Sequence, residues 1–239
     1  QTPTPIQAQA IPPALMNRDI IASAQTGTGK TAAFCIPMIS KLEKVPKKSA
    51  LILVPTREIA AQIVQVLSQL TKNLPQMKPA LLIGGASMQP QMRALHKKPR
   101  IVVATPGRLV DHLRRGSLSL TPYEILVLDE ADRMLDMGFA PQLNEILRFL
   151  PRSRQTMLFS ATFPKDIQKL AAKYLKDPVR VAVGQVSKPV ALIEQSVIQT
   201  TGNLKNDVLL DELNTRNGSV LIFTRTKRRT DRLARYLLS

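Results

Sequence analysis

Tryptophan is absent from the 239 residues, and three tyrosines and six phenylalanines bring the aromatic share to 4%. A surface that grips single strands chiefly by stacking bases on aromatic rings is therefore not expected. A lone cysteine, Cys35, can neither close an intrachain disulfide nor build a thiolate metal centre, which fits a reducing compartment. It reads as core, followed on its helix by Ile36. With His96 and His112 the only histidines and no ligand partner at metal spacing, a structural zinc site is unexpected. Acidic residues are scarce: 17 Asp and Glu face 34 Lys and Arg, a net charge of +17, so a polyanion, nucleic acid first, is the expected partner. Apolar runs such as 50–54 and 101–104 fall far short of the roughly 20 residues of a membrane span. No charged n-region or apolar h-region follows Gln1, so a cytoplasmic protein without membrane association is expected.

What is present is the balance of a globular protein, 44% hydrophobic and 21% charged. Seven short apolar runs, at 20–22, 50–54, 80–83, 101–104, 125–128, 157–159 and 179–183, are nearly continuous rather than alternating, as in strands buried on both faces of a parallel sheet. Helical periods lie between them. In the clearest, Ile59, Ile63, Val66, Leu67 and Leu70 fall on one face, with Thr56 placed to cap the start and Pro75 beyond the end. This alternation predicts an α/β, doubly wound parallel sheet over 1–183, with ligands at the carboxyl ends of its strands. A linker is expected at 184–192 and a partial second domain at 193–239, with strands at 193–200 and 219–224 and helices at 204–215 and 226–238. Residues 1–183 hold 25 basic and 12 acidic side chains, so most of the positive charge belongs to the first domain.

After the first strand come Ala24, Gln25, Thr26, Gly27, Thr28, Gly29, Lys30 and Thr31, a phosphate-binding loop leading into a helix. The glycines let successive N–H groups face phosphates, Lys30 supplies a cation and Thr31 a hydroxyl for Mg2+. The strand at 125–128 runs into Asp129, Glu130, Ala131 and Asp132. Asp129 is placed to hold the metal, and Glu130 to orient or deprotonate the attacking water. A solvated acidic turn is the bland alternative. Arg57 and Arg108 start helices near glycines and suit an anionic sugar-phosphate backbone, although arginine at a helix start is ordinarily solvated or paired. Ser160 and Thr162, two apart, present hydroxyls to one side where both can reach Asp132. Equally, Thr162 can cap the helix that begins near Pro164.

In this order the motifs resemble those of DEAD-box ATP-dependent RNA helicases, and the resemblance covers the whole chain. Residues 3–7 are similar to the Q motif, residues 55–60, with Pro55, Thr56 and Arg57 at their start, to motif Ia, Gly84 and Gly85 to the GG element, Thr105, Pro106, Gly107 and Arg108 to motif Ib, Ser160 to Thr162 to motif III, and 221–227 to motif IV. The resemblance implies a RecA-like P-loop NTPase domain followed by a truncated second one, ATP and Mg2+ as cofactors, Gln7 reading the adenine edge, and RNA bound along its backbone by the motif Ia, GG and Ib residues. It also implies coupling of nucleotide state to unwinding through Asp132, Ser160 and Thr162. Monomeric action in the intact enzyme, with accessory proteins or ribonucleoprotein complexes as further partners, belongs to the same expectation. The stretches from Asp129 to Phe139 and from Phe223 to Lys227 look like the RhlE-like bacterial branch. The family's aromatic residue and glycine ahead of the Q motif, and its motifs V and VI with their arginine fingers, do not occur in residues 1–239. Such arginines are worth about 10³ to 10⁵ in rate, so these residues alone are expected to bind ATP with little turnover. Two rivals remain: a P-loop ATPase acting on a protein or small molecule, and a non-enzymatic binding module. The basic stripe Arg228, Arg232 and Arg235, and the cluster of Arg93, Lys97, Lys98 and Arg100, are either RNA-facing or solvated surface.

Overall fold

All seven apolar runs form strands in the computed structural model, which describes residues 2–25, 27–183, 194, 196–202 and 204–238. They are β1 (Ile20–Ser23), β2 (Ser49–Leu53), β3 (Ala80–Leu82), β4 (Ile101–Ala104), β5 (Tyr123–Leu128), β6 (Gln155–Ser160) and β7 (Val179–Ala182). Every pairing is parallel, in the order β3-β4-β2-β5-β6-β1-β7. Helices α1 (Pro5–Leu15), α2 (Lys30–Lys44), α3 (Arg57–Leu70), α4 (Met88–His96), α5 (Pro106–Arg114), α6 (Ala131–Asp136), α7 (Ala140–Phe149) and α8 (Lys165–Tyr174) connect them.

Alternate side chains leave the sheet on opposite faces, and each face has its own core. Ile20, Ile52, Val103, Val127 and Phe159 pack with Phe34, Ile63 and the rest of α1 to α3. Leu51, Val102, Leu126 and Leu158 pack with Leu109, Met134, Leu143 and Ile167 from α5 to α8. Apolar residues at every strand position are thus the consequence of two covered faces. Phe34 of α2 meets Phe159 of β6 edge to face, 5.3 Å between ring centres, which fixes the helix behind the glycine loop against the strand that ends in Ser160. Asp19, which sequence reasoning passed over, staples three strands: its carboxylate accepts from the Thr156 and Lys176 amides at 2.7 Å each, and its carbonyl from Val179 N–H.

The chain divides into two compact units, 1–187 and 188–239. The second contains α9 (Lys205–Asn214) and α10 (Lys227–Leu238), where helices are expected. Its two expected strands are a correction. The linker expected at 184–192 lies, with 193 and 195, outside the described residues, and neither 196–200 nor 219–224 forms a strand. Leu221 and Phe223 are 77% and 86% exposed, and a strand has no ladder hydrogen bonds or covered face until a neighbour pairs with it. On α10, Leu233 is buried, with Arg228, Arg232 and Arg235 exposed. Among the described residues, no helix is long and apolar enough to cross a membrane.

Candidate functional site

Because the strands are parallel, β1, β2, β4, β5 and β6 all release their loops at one edge of the sheet. Residues just past the strand ends, most of them in motifs, continue the ladder: Ala24 N–H donates to Ser160 O, Asp129 N–H to Leu53 O, Val54 N–H to Ala104 O and Thr105 N–H to Leu82 O. Only β6 separates β1 from β5, so the glycine loop and the acidic strand end lie about 10 Å apart, two inter-strand spacings.

Gly27 and Gly29 have φ of +81° and +92°, a left-handed backbone that favours glycine. The curl brings Lys30, 7% exposed, back over the loop, where Nζ donates to Ala24 O at 2.9 Å. Asp129 is 5% exposed, and burial, the dominant influence, pushes its carboxyl up to about 6. The Lys30 ammonium nearby offsets part of that rise, and Glu130 adds to it. A buried carboxylate so little compensated is suited to a cation. The Thr31 hydroxyl has no partner among the described residues, and the two side chains together offer the hard oxygen donors that Mg2+ prefers. Glu130 has φ of +51°, rare for a residue with a side chain, and its carboxylate pairs with Arg133 at 3.3 Å. Thr26 lies outside the described residues; Gln25 is exposed, and Thr28 donates to Gln25 O at 2.8 Å.

Asp132 joins this edge to β6. Its Oδ2 accepts from the Thr162 N–H at 2.8 Å and the Thr162 hydroxyl at 2.9 Å, while its N–H donates to Ser160 Oγ at 3.3 Å. Both hydroxyls therefore engage Asp132, Ser160 through the backbone. Thr162 as a helix cap is corrected: Pro164 occupies the cap of α8, without a side-chain bond. Burial raises the Asp132 carboxyl, but the bonds from Thr162, Arg133 and Ser160 outweigh it and leave it below the usual carboxylate range.

Gln7 sits at the third position of α1, beside the loop. Its Nε2 donates to Gly29 O at 3.2 Å and its Oε1 accepts from Thr4 N–H at 3.1 Å, leaving one amide proton and one lone pair for a ligand. A Cβ built at Gly29 would stand 2.6 Å from Gln7 Nε2, so this close approach requires glycine.

A groove of about 630 Å³ gathers Pro55, Thr56, Arg57, Gly84, Gly85, Thr105, Gly107 and Arg108; Pro106 is buried at the start of α5. Thr56 caps α3, accepting from Ile59 N–H at 3.4 Å. The Arg57 guanidinium lies across Gly85, whose φ is +70°. Arg108 differs: only 11% of its side chain is exposed, it donates to Ala86 O at 3.0 Å, and Asp111 stands 3.8 Å away. Glu58, which the motif Ia stretch contains but without an expected contact role, completes the lining with Asp111, Met137 and Phe139, which sequence reasoning missed. Glu58 follows Arg57 in the chain and a helix repeat puts Asp111 beside Arg108, so those two were legible; Met137 and Phe139 arrive from another loop. Of the basic cluster, Arg93, Lys97 and Lys98 are exposed, whereas Arg100 is corrected to a structural residue, its Nη2 donating to Leu42 O and Val45 O at 2.7 Å. Cys35 is fully buried, and burial raises its thiol. A separate cavity of about 510 Å³ beside Ser49, Pro99 and Tyr123 opens at the opposite end of the strands and holds none of the motif residues.

Residues 4–170 match the sequence profile of DEAD/DEAH box helicases. The chain is 47% identical over 236 residues to the ATP-dependent rRNA helicase RRP3 of Candida glabrata, covering 97% of this chain and 48% of that protein. Against the probable ATP-dependent RNA helicase DDX59 of Homo sapiens it is 43% identical, covering 98% and 38%. Against the ATP-dependent RNA helicase DeaD of Mycobacterium tuberculosis it is 44% identical, covering 99% and 42%. The chain thus spans about half the length, or less, of the curated relatives it matches, and these near-equal identities single out no branch. The crystal structure of a DEAD box protein from the hyperthermophile Methanococcus jannaschii superposes with a TM-score of 0.72 at 40% identity, covering 99% of this chain and 64% of that one.

Proposed function

The chain belongs to the DEAD/DEAH box helicase family, and from that premise we propose that it supplies the ATP-Mg and RNA-backbone sites of an RNA-stimulated ATPase that separates short RNA duplexes locally. One observation carries this reading: Lys30 and Asp129, buried and within electrostatic reach of each other, meet at the same sheet edge as the Asp132 to Thr162 link. In the proposed mechanism the Lys30 ammonium neutralises phosphate charge, the N–H groups of the glycine loop orient the phosphates, and Glu130 takes a proton from the attacking water. Asp129 and Thr31 would hold Mg2+, which when bound supplies charge neutralisation at the phosphate oxygens. No cluster of three or more Asp, Glu, His or Cys side chains suited to a metal occurs among the described residues, so such an ion depends on these two and on the phosphates. Gln7 contributes its remaining donor and acceptor to an adenine edge.

RNA lies along the groove beside Arg57 and Gly85, held by backbone contacts without base readout. Motifs V and VI are not among residues 1–239, so this stretch binds ATP with little turnover. A cytoplasmic location, accessory proteins and monomeric action of the intact enzyme belong to the same reading. The deciding measurement is titration with a nonhydrolysable ATP analogue and Mg2+, with Lys30→Ala and Asp129→Asn beside the parent, followed by ATPase assays of the intact protein with and without RNA. Tight binding lost in both variants, and RNA-stimulated turnover, are expected. Turnover indifferent to RNA favours an ATPase with another target.

A further inference from the structure

The loop from Ile83 to Ser87 delivers Gly84 and Gly85 to the groove. Two glycines bring no side-chain packing and the widest choice of backbone states, so the conformation of this loop must be imposed from outside. Gln91 on α4, 6% exposed, imposes it: Nε2 donates to Ile83 O and to Ser87 O, each at 3.1 Å, on either side of the glycine pair. Both amide protons are then committed, which turns Oε1 to His112 Nε2 at 3.4 Å. His112 is fully buried on α5, with Ser117 Oγ 2.8 Å from Nδ1 and 3.0 Å from its own carbonyl oxygen. The serine proton serves one of these at a time. A neutral ring protonated at Nε2 satisfies Gln91 and accepts from Ser117 at Nδ1. Burial, and after it the charge of Arg108, lowers the imidazole below its ordinary range and favours that neutral form. Arg108 adds a third tie, to Ala86 O.

We infer that Gln91 is a positioning residue for the RNA groove: anchored to α5 through His112, it fixes the Gly84 and Gly85 backbone relative to Thr105 and Gly107 and holds Gly85 where Arg57 lies across it. The inference rests on the reading of this groove as an RNA site. Gln91 touches no groove cavity itself and lies outside every motif, and its partners are 8, 4 and 21 residues away in sequence, so no local pattern signals the role.

The test is a double-mutant cycle in the intact protein, read as affinity for a labelled single-stranded oligouridylate and, separately, for a nonhydrolysable ATP analogue. Gln91→Met keeps length and apolar volume but deletes three polar contacts. It should weaken RNA binding about five- to tenfold and leave nucleotide affinity within about twofold. If Gln91 acts by seating Arg57, the loss from Arg57→Ala and the loss from Gln91→Met should not multiply: the double variant should bind within about twofold of Arg57→Ala alone. Multiplicative losses, or an equal loss of nucleotide affinity, overturn the inference, because general destabilisation produces either. Should Gln91→Met fail to fold, Gln91→Asn decides: it keeps the amide but is too short for both carbonyls, and should show a smaller loss with the same non-additivity. If the parent binds RNA and both Gln91 variants bind it equally well, the inference alone falls. If the parent binds no RNA, the groove reading falls and takes the inference with it.

Discussion

Arg57 and Arg108 look equivalent in sequence, each opening a helix after a strand, yet they have different work. Arg57 is exposed across Gly85, whereas Arg108 spends itself on Ala86 O, 22 residues away, a separation no spacing rule reveals. Gly84 and Gly85 divide in the same way: a Cβ at Gly84 meets nothing within 4 Å, whereas one at Gly85 collides with the Arg57 guanidinium and carries the strain of φ +70°. Gly85→Ala is therefore expected to cost about 1–2 kcal/mol in denaturant unfolding and to weaken RNA binding, while Gly84→Ala stays within about 0.5 kcal/mol in unfolding. Equal unfolding costs would contradict the packing of Arg57 described above. The Asp132 contact gives a second prediction at this scale. Its depressed carboxyl pKa means a stabilising contribution present above the unfolded value near 3.8 and lost as pH falls through the lower folded value. Thr162→Val removes the hydroxyl donor, so the Asp132 carboxyl should titrate at higher pH by NMR and acid unfolding should begin at higher pH. An unchanged Asp132 titration would show that the hydroxyl contributes nothing.

At the scale of elements, the sheet was legible because each strand is covered on both faces and must be apolar at every position, whatever its neighbours. The helix that became α3 was legible because its cap, Thr56, and its stripe are local. The extended segments expected in the second unit were not, since Leu221, Ile222 and Phe223 have β-propensity but the ladder depends on a neighbour that propensity cannot supply. Arg100 was misplaced for a related reason. Read locally it belongs to a run of surface cations; folded, it closes the carboxyl end of α2 by donating to Leu42 O, Val45 O and Lys48 O, where a cation also suits the helix dipole. Burial lowers its pKa, the mark of a desolvated guanidinium rather than one awaiting phosphate. Arg100→Met should lower unfolding stability by about 2–4 kcal/mol and leave RNA affinity within about twofold, measured by denaturant titration and by RNA binding under native conditions. A loss of RNA affinity without a loss of stability would restore it to the binding surface.

The charge of the whole molecule, +17, tempts the conclusion that RNA is held by bulk electrostatics, but the groove itself is nearly neutral. Arg57 and Arg108 face Glu58 and Asp111 there, and of the two arginines Arg108 donates to a carbonyl whereas Arg57 has no carbonyl partner among the described residues. Glu58, exposed, is held below the usual carboxylate range by hydrogen bonds from its own backbone N–H and from Thr56, so its negative charge persists. The remaining groove contacts would come from backbone N–H groups and glycine surfaces, which carry no formal charge. For single strands the logarithm of the binding constant falls with the logarithm of salt concentration at a slope of about −0.7 for each phosphate neutralised. One or two cations engaged in the groove thus predict a slope between about −0.7 and −1.4, and Arg57→Ala should reduce its magnitude by about 0.7. If instead the excess of basic residues spread over the surface carries the RNA, the slope should be −4 or steeper, by the same estimate applied to about six phosphates, and Arg57→Ala should scarcely move it. Titrating an oligouridylate between low and physiological salt, with the parent and Arg57→Ala side by side, separates a strand gripped in the groove from a polyanion adsorbed on a basic protein.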